Sequence, residues 1–202
     1  MQHNYYTLHL SYCQVTFITK KMQTENKNYL KYVLIFIFGL FIRFIPFRPP
    51  NIEPVLTIVM PFSKKYGNYA SGLFALLSIV IFDLLTSGVG IWTVVTSLVY
   101  SIIGYFSSYY FRNRESNKIN YLKFAFLGTI IFDIITGLLI GPLFFNQPFM
   151  NALIGQIPFT ILHLLGNMSF AYLLSPLIYR YIINNKKLET PELVSIFTRK
   201  HI

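Results

Sequence analysis

From residue 29 onward the chain alternates between long apolar runs and short polar breaks. Six apolar blocks stand out, at 29–47, 52–62, 69–86, 89–111, 121–140 and 149–183. A helix needs about 20 mostly apolar residues to cross the hydrocarbon of a bilayer. The second block is short and bracketed by Pro54 and Pro61, so it reads as a tilted or broken crossing. The sixth is long enough to cross with a lead-in segment, and carries Pro158 in its first half and Pro176 in its last turns. The pattern predicts an all-α, polytopic membrane protein: a six-transmembrane-helix bundle over 29–183, with polar tails at 1–28 and 184–202. In the first tail, the run 8–18 is too short and too polar to be the apolar core of a signal peptide. Met22 opens a more natural start, which leaves two readings of 1–21: an upstream extension or a flexible cytoplasmic tail.

Composition narrows the class. Only 12% of the 202 residues are charged, against 54% hydrophobic and 18% aromatic. A soluble domain carries about 25% charged residues, and disorder needs low hydrophobicity with high charge. Both a soluble enzyme and a disordered chain are thereby excluded. The net charge of +10 does not imply nucleic acid, because the basic residues lie between the apolar blocks and not as a stripe along one element. With six crossings and the N-terminus inside, only Arg43 and Arg48 of the 17 Lys and Arg fall on the outer side. Basic loops stay cytoplasmic, so this asymmetry predicts both termini inside and a multi-pass protein of the inner (cytoplasmic) membrane, surrounded by lipid. Omitting block two would move Arg112 and Lys118 outside, which is why the short block is counted. The single cysteine, Cys13, rules out an internal disulfide.

Three groups of residues carry candidate chemistry. The run Ile81-Phe82-Asp83-Leu84-Leu85-Thr86-Ser87-Gly88 repeats fifty residues later as Ile131-Phe132-Asp133-Ile134-Ile135-Thr136-Gly137-Leu138. Asp83 and Asp133 each sit inside an apolar block near its outer end, where an ionisable group costs a few kcal/mol and usually faces a cavity or partner. Two readings stand: a ligand or loop contact, or a helix-end Asp bonding the amides of the next turn. The link 43–55 contains Pro46, Pro49, Pro50 and Pro54, which forbid a continuous helix. It reads as a lid, with Asn51 and Glu53 turned toward a ligand or Glu53 paired with Arg43 and Arg48. In block six, Gln156, Thr160, His163 and Asn167 are spaced i, i+4, i+7, i+11 and share one helical face. A polar stripe there must face inward, either bonding a neighbouring helix or walling a small-molecule site. Asn146 lies just before it on the outer side. His163 has no second His or Cys at ligand spacing, so no metal is expected. Small residues Ser71, Ala75 and Ser78 permit close helix packing, while Trp92, Tyr100, Tyr109 and Tyr110 suit interfacial or core positions, with core the default.

The run Pro49-Pro50-Asn51-Ile52-Glu53-Pro54-Val55, Asp83 near the end of the next long helix, and Ile157-Pro158-Phe159 entering the last one together resemble the substrate-binding S components of energy-coupling-factor (ECF) transporters. The resemblance covers roughly residues 30–183. It implies a six-helix protein that captures a vitamin or similar micronutrient near the outer surface, under a lid between the first two helices. It also implies docking on a transmembrane T component driven by two ATPase subunits. Carried over, Asn51 and Glu53 fall in the lid, and Gln156, His163 and Asn167 in the pocket-lining last helix. One departure is plain: the Ala-x-x-x-Ala docking motif of many S components is missing from block one, which offers only Gly39. A second resemblance, over Leu76 to Arg112, is to MreD, a membrane scaffold of cell-wall elongation.

No Walker loop, Gly-x-Ser-x-Gly or His-Glu-x-x-His occurs. The chain is therefore read as a non-enzyme without cofactor, whose substrate contacts are Asn51, Glu53, Asp83, Asp133, Asn146, Gln156, Thr160, His163 and Asn167. On this reading, His163→Ala or Gln156→Ala weakens ligand binding without unfolding the protein.

Overall fold

The structure, a computed structural model, describes residues 29–44, 54–86 and 88–188. Contacts divide the chain into two units, residues 1–35 with 185–202, and residues 36–184. In the first, Lys31 is buried and its Nζ donates to the carbonyl of Asn185 at 2.7 Å.

All regular structure among the described residues is helical. We label the segments α1 (Tyr29–Arg43), α2 (Val55–Tyr66), α3 (Asn68–Leu85), α4 (Ile91–Arg112), α5 (Lys118–Phe145) and α6 (Phe149–Ile183). In α5 a π-helical stretch, Ile134–Ile140, leads into Pro142; in α6 another, Ile178–Ile183, follows Pro176. The helices α3 to α6 are long and apolar enough to cross a membrane. Their surfaces suit hydrocarbon. On α4 the exposed residues include Ile91, Val94, Leu98, Ile102 and Phe106, while the small and polar Thr93, Ser97, Gly104 and Ser107 are buried along with Val99, Tyr100, Ile103 and Phe111. Small polar side chains are thus buried while a row of large apolar ones is exposed, a surface that water would penalise and lipid does not.

Block two departs from its predicted bounds. The helix does not stop at Pro61 but runs on through Lys64 and Lys65 to Tyr66, and Gly67 alone separates it from α3. Gly67 sits at φ 85°, ψ −179°, a conformation essentially closed to residues with a Cβ. Every residue from Val55 to Ser63 is buried, so α2 is packed on all sides. Pro61 is tolerated for a specific reason. It has no N–H to offer the carbonyl four residues back, Thr57, and Ser175 Oγ of α6 donates to that carbonyl at 2.8 Å. Both groups are buried. Ser175→Ala should therefore cost about 1–3 kcal/mol by leaving the carbonyl unpaired. Pro61→Ala restores the intrahelical donor, so Pro61→Ala combined with Ser175→Ala should unfold at a higher temperature than Ser175→Ala alone. Equal melting of the two would remove this account.

The short α2 also shapes the interior. A Cβ on Gly128 of α5 would lie 3.3 Å from Ile103 of α4 and 3.4 Å from Leu56 of α2. The first turn of α2 is therefore level with Ile103, midway along α4. Beyond that level α2 contributes nothing, and the space between α3, α4, α5 and α6 is left open.

Candidate functional site

The open space is a cavity of about 410 Å³. Small-molecule sites are typically roughly 300–1,000 Å³. Five helices line it: α1 through Arg43; α3 through Ile79 and Asp83; α4 through Trp92, Thr96 and Tyr100; α5 through Phe132, Thr136 and Gly137; and α6 through Gln156, Phe159 and His163. The charged and hydrogen-bonding groups are set among four aromatic rings.

Arg43 lies in the last turn of α1, where a cation suits the negative helix end. Its Nη1 donates to the carbonyl of Ser78 at 2.8 Å and its Cζ is 4.1 Å from the Phe82 ring centroid. Asp83 Oδ2 accepts from Thr93 Oγ1 at 2.6 Å, and Thr93 Oγ1 in turn accepts from the amide of Gly90. Trp92 stacks on Phe145, centroids 5.7 Å apart.

A polar ladder joins α5 to α6. Asn167 Nδ2 donates to Thr129 Oγ1 at 2.9 Å; one turn on, His163 Nδ1 and Asp133 Oδ1 are 2.7 Å apart; a further turn along α5 and two along α6, the Gln156 amide lies against Gly137, where any Cβ would overlap it. Asp133 and His163 are each 1% exposed. A carboxylate only accepts, so the ring nitrogen that faces it, Nδ1, is the donor of this bond. Nε2 is buried without a hydrogen-bond partner among the described residues, as is Asp133 Oδ2. Gln156 Nε2 donates to Thr160 Oγ1 at 3.1 Å.

The predicted residues separate into groups. Asp83, Gln156 and His163 reach the cavity. Asp133 sits behind His163 and orients it, and neither acid's side chain caps the following turn. Asn167 lies one turn too deep and belongs to the ladder. Thr160 contacts the cavity only through Gln156 and faces a shallow groove between α5 and α6, which Asp133 and Gln156 also line. Asn146 is an exposed left-handed residue (φ 51°) ending α5, away from the cavity. Asn51, Glu53 and Arg48 lie outside the described residues. Of the aromatics read as interfacial or core, Tyr100 is buried, whereas Trp92 departs from the core default: it is 47% exposed and on the cavity wall. The spacing of Trp92, Thr96 and Tyr100 at i, i+4, i+8 was the available signal for that wall. Gly137 and Thr136 lie in the fifty-residue repeat, and Thr136 and Thr86 make the same bond, each donating to the carbonyl of the Phe four residues back.

Arg43 apart, the cavity and the basic residues around Arg112 lie toward opposite ends of α4. Trp92 and Arg112 are twenty residues apart on α4, about 30 Å, the thickness of a bilayer core. At the Arg112 end, Lys64 Nζ donates to the carbonyl of Arg114 and Lys118 Nζ is 4.7 Å from the Tyr172 ring centroid. Among the described residues, no three His, Cys, Asp or Glu side chains gather to hold a metal ion. Compared with family models, curated proteins and solved structures, the chain matches none of them.

Proposed function

We propose that this chain captures a small molecule at the outer face of the cell membrane, as the substrate-binding subunit of an ECF-type micronutrient uptake system. The observation that carries the reading is the convergence of five helices on one aromatic and polar cavity, at the end opposite the basic group of Lys64, Arg112, Arg114 and Lys118. Basic ends stay cytoplasmic, so the cavity end faces outward, with six helices in the membrane and both termini inside. Aromatic walls hold a flat molecule, while Arg43, Asp83, Gln156 and His163 orient its polar groups. The chain has no nucleotide-binding motif of its own, so a T component and ATPase subunits are the partners that would supply energy at the basic end.

The test uses a built-in reporter. Trp92 is the protein's one tryptophan and lies on the cavity wall. Native mass spectrometry of the detergent-purified chain should reveal a bound molecule of fixed mass. Returning that molecule to stripped protein should change Trp92 emission along a saturating curve. Gln156→Ala should weaken this binding about five- to thirtyfold by removing one hydrogen-bonding group. Gly137→Ala should act in the same direction, since its Cβ displaces the Gln156 amide. A bare protein that shows no Trp92 response to a panel of water-soluble vitamins, and co-purifies with cell-wall elongation proteins, would replace this reading with the MreD-like scaffold.

A further inference from the structure

A second site lies at the basic end. Between the C-terminal turns of α2 and α4 and the start of α3 is a cleft of about 470 Å³, lined by Lys64, Lys65, Arg112, Asn68 and Tyr109 among others. Three cations enter it, and none of the described carboxylates does. The partners of Lys64 are neutral: its Nζ donates to the carbonyl of Arg114 and lies 5.9 Å from the Tyr179 ring centroid. The start of α3 adds to the field. Gly67 precedes it, with no side chain to cap the free amides of the first turn, and such amides favour anions. Tyr109 Oη, 3.5 Å from Asn68 Nδ2, supplies a further polar group at the rim.

What adjoins the cleft identifies the source of the anion. Tyr69 (79% exposed), Leu73 and Leu77 follow at four-residue spacing along α3, and Phe106, Ile102 and Leu98 along α4. Both rows are apolar, exposed and lead away from the cleft along the membrane-facing surface. Tyr69 meets Tyr105 edge-on, centroids 5.5 Å apart, closing the floor between the two helices. A free phosphate would use the cleft alone; a phospholipid would use both the cleft and the apolar rows. We infer that this cleft binds the phosphate headgroup of an anionic phospholipid in the leaflet at the basic end, with its acyl chains along α3 and α4. The inference rests on the chain spanning a membrane and not on ligand capture in the cavity.

The test is native mass spectrometry of the delipidated full chain in detergent, titrated with phosphatidylglycerol, with phosphatidylcholine of the same chain length, and with inorganic phosphate. Phosphatidylglycerol should bind in preference to phosphatidylcholine. Lys65 and Arg112 are exposed, so Lys65→Gln with Arg112→Gln leaves the packed interior intact. This double variant should weaken phosphatidylglycerol binding about thirtyfold, two surface charges' worth. Lys65→Arg with Arg112→Lys, which keeps both charges, should retain it. Unchanged binding in the Gln variant, or equal binding of the two lipids, would overturn the inference. Inorganic phosphate binding as well as the lipid does would overturn the lipid assignment, leaving a free-anion site.

Discussion

Replacing His163 with alanine is expected to destabilise the protein by about 3–5 kcal/mol, and not merely to weaken binding. His163 and Asp133 are each 1% exposed, and the imidazole is the carboxylate's one hydrogen-bonded neighbour among the described residues. Removing one member of a buried pair strands the other without water or a counter-group, which is the costly change; replacing both with apolar residues is often neutral. The expectation drawn from the sequence, that His163→Ala leaves folding intact, is therefore replaced. Gln156→Ala keeps that expectation, because the Gln156 side chain is only half-buried and its bond is to Thr160 on the same helix. Thermal unfolding in detergent should show His163→Ala melting roughly 10 °C below the parent. Asp133→Leu combined with His163→Leu should recover most of that loss, yet should not recover the Trp92 response to ligand. Melting of His163→Ala within a degree of the parent would show that the pair does not hold α5 to α6.

Gly104→Val is the second large effect, expected at about 2–4 kcal/mol. A Cβ at Gly104 would lie 2.7 Å from the carbonyl oxygen of Ser71, 3.1 Å from its carbon and 3.3 Å from the Cβ of Ala75. The obstruction is mainly backbone, so α3 and α4 must move apart. The same movement stretches the hydrogen bond from Ser71 Oγ to the Gly104 carbonyl, 2.7 Å and buried. In a membrane, close helix packing is itself a main source of association energy, because lipid is as apolar as leucine. Overpacking by whole methyl groups costs roughly 1–3 kcal/mol even where side chains can yield, and a branched residue against backbone exceeds that. Gly155 is the control: an added Cβ there meets no atom within 4 Å, so Gly155→Ala should be neutral or mildly stabilising through helix propensity. If Gly104→Val melts with Gly155→Ala, the α3–α4 contact is not as described.

Hydrophobic patterning alone located the helices well. Blocks 69–86, 89–111 and 149–183 became Asn68–Leu85, Ile91–Arg112 and Phe149–Ile183, because a long apolar run in lipid has one way to satisfy its backbone. Charge placement likewise anticipated a basic end, since the loops that carry Lys64, Arg112, Arg114 and Lys118 return to the same side. The prolines were less informative. Pro61 looked like a boundary and is an interior residue, because its partner, Ser175, is more than a hundred positions away in the chain.

The inward direction of His163 and Asn167 was readable from a period of 3.6, with Gln156 and Thr160 half-buried on the same stripe, but that period says nothing about depth or about the opposing helix. The eleven residues from Gln156 to Asn167 rise about 16 Å, enough to put Gln156 and His163 on a cavity and Asn167 among packed side chains. Asp133 and Asp83 are near-identical in local sequence and differ in role because one opposes His163 and the other Thr93. The cavity itself was invisible in any single segment. It exists because α2 is too short to fill the space between longer neighbours, and a void between helices is a property of their relative lengths and levels, which only the packed structure sets.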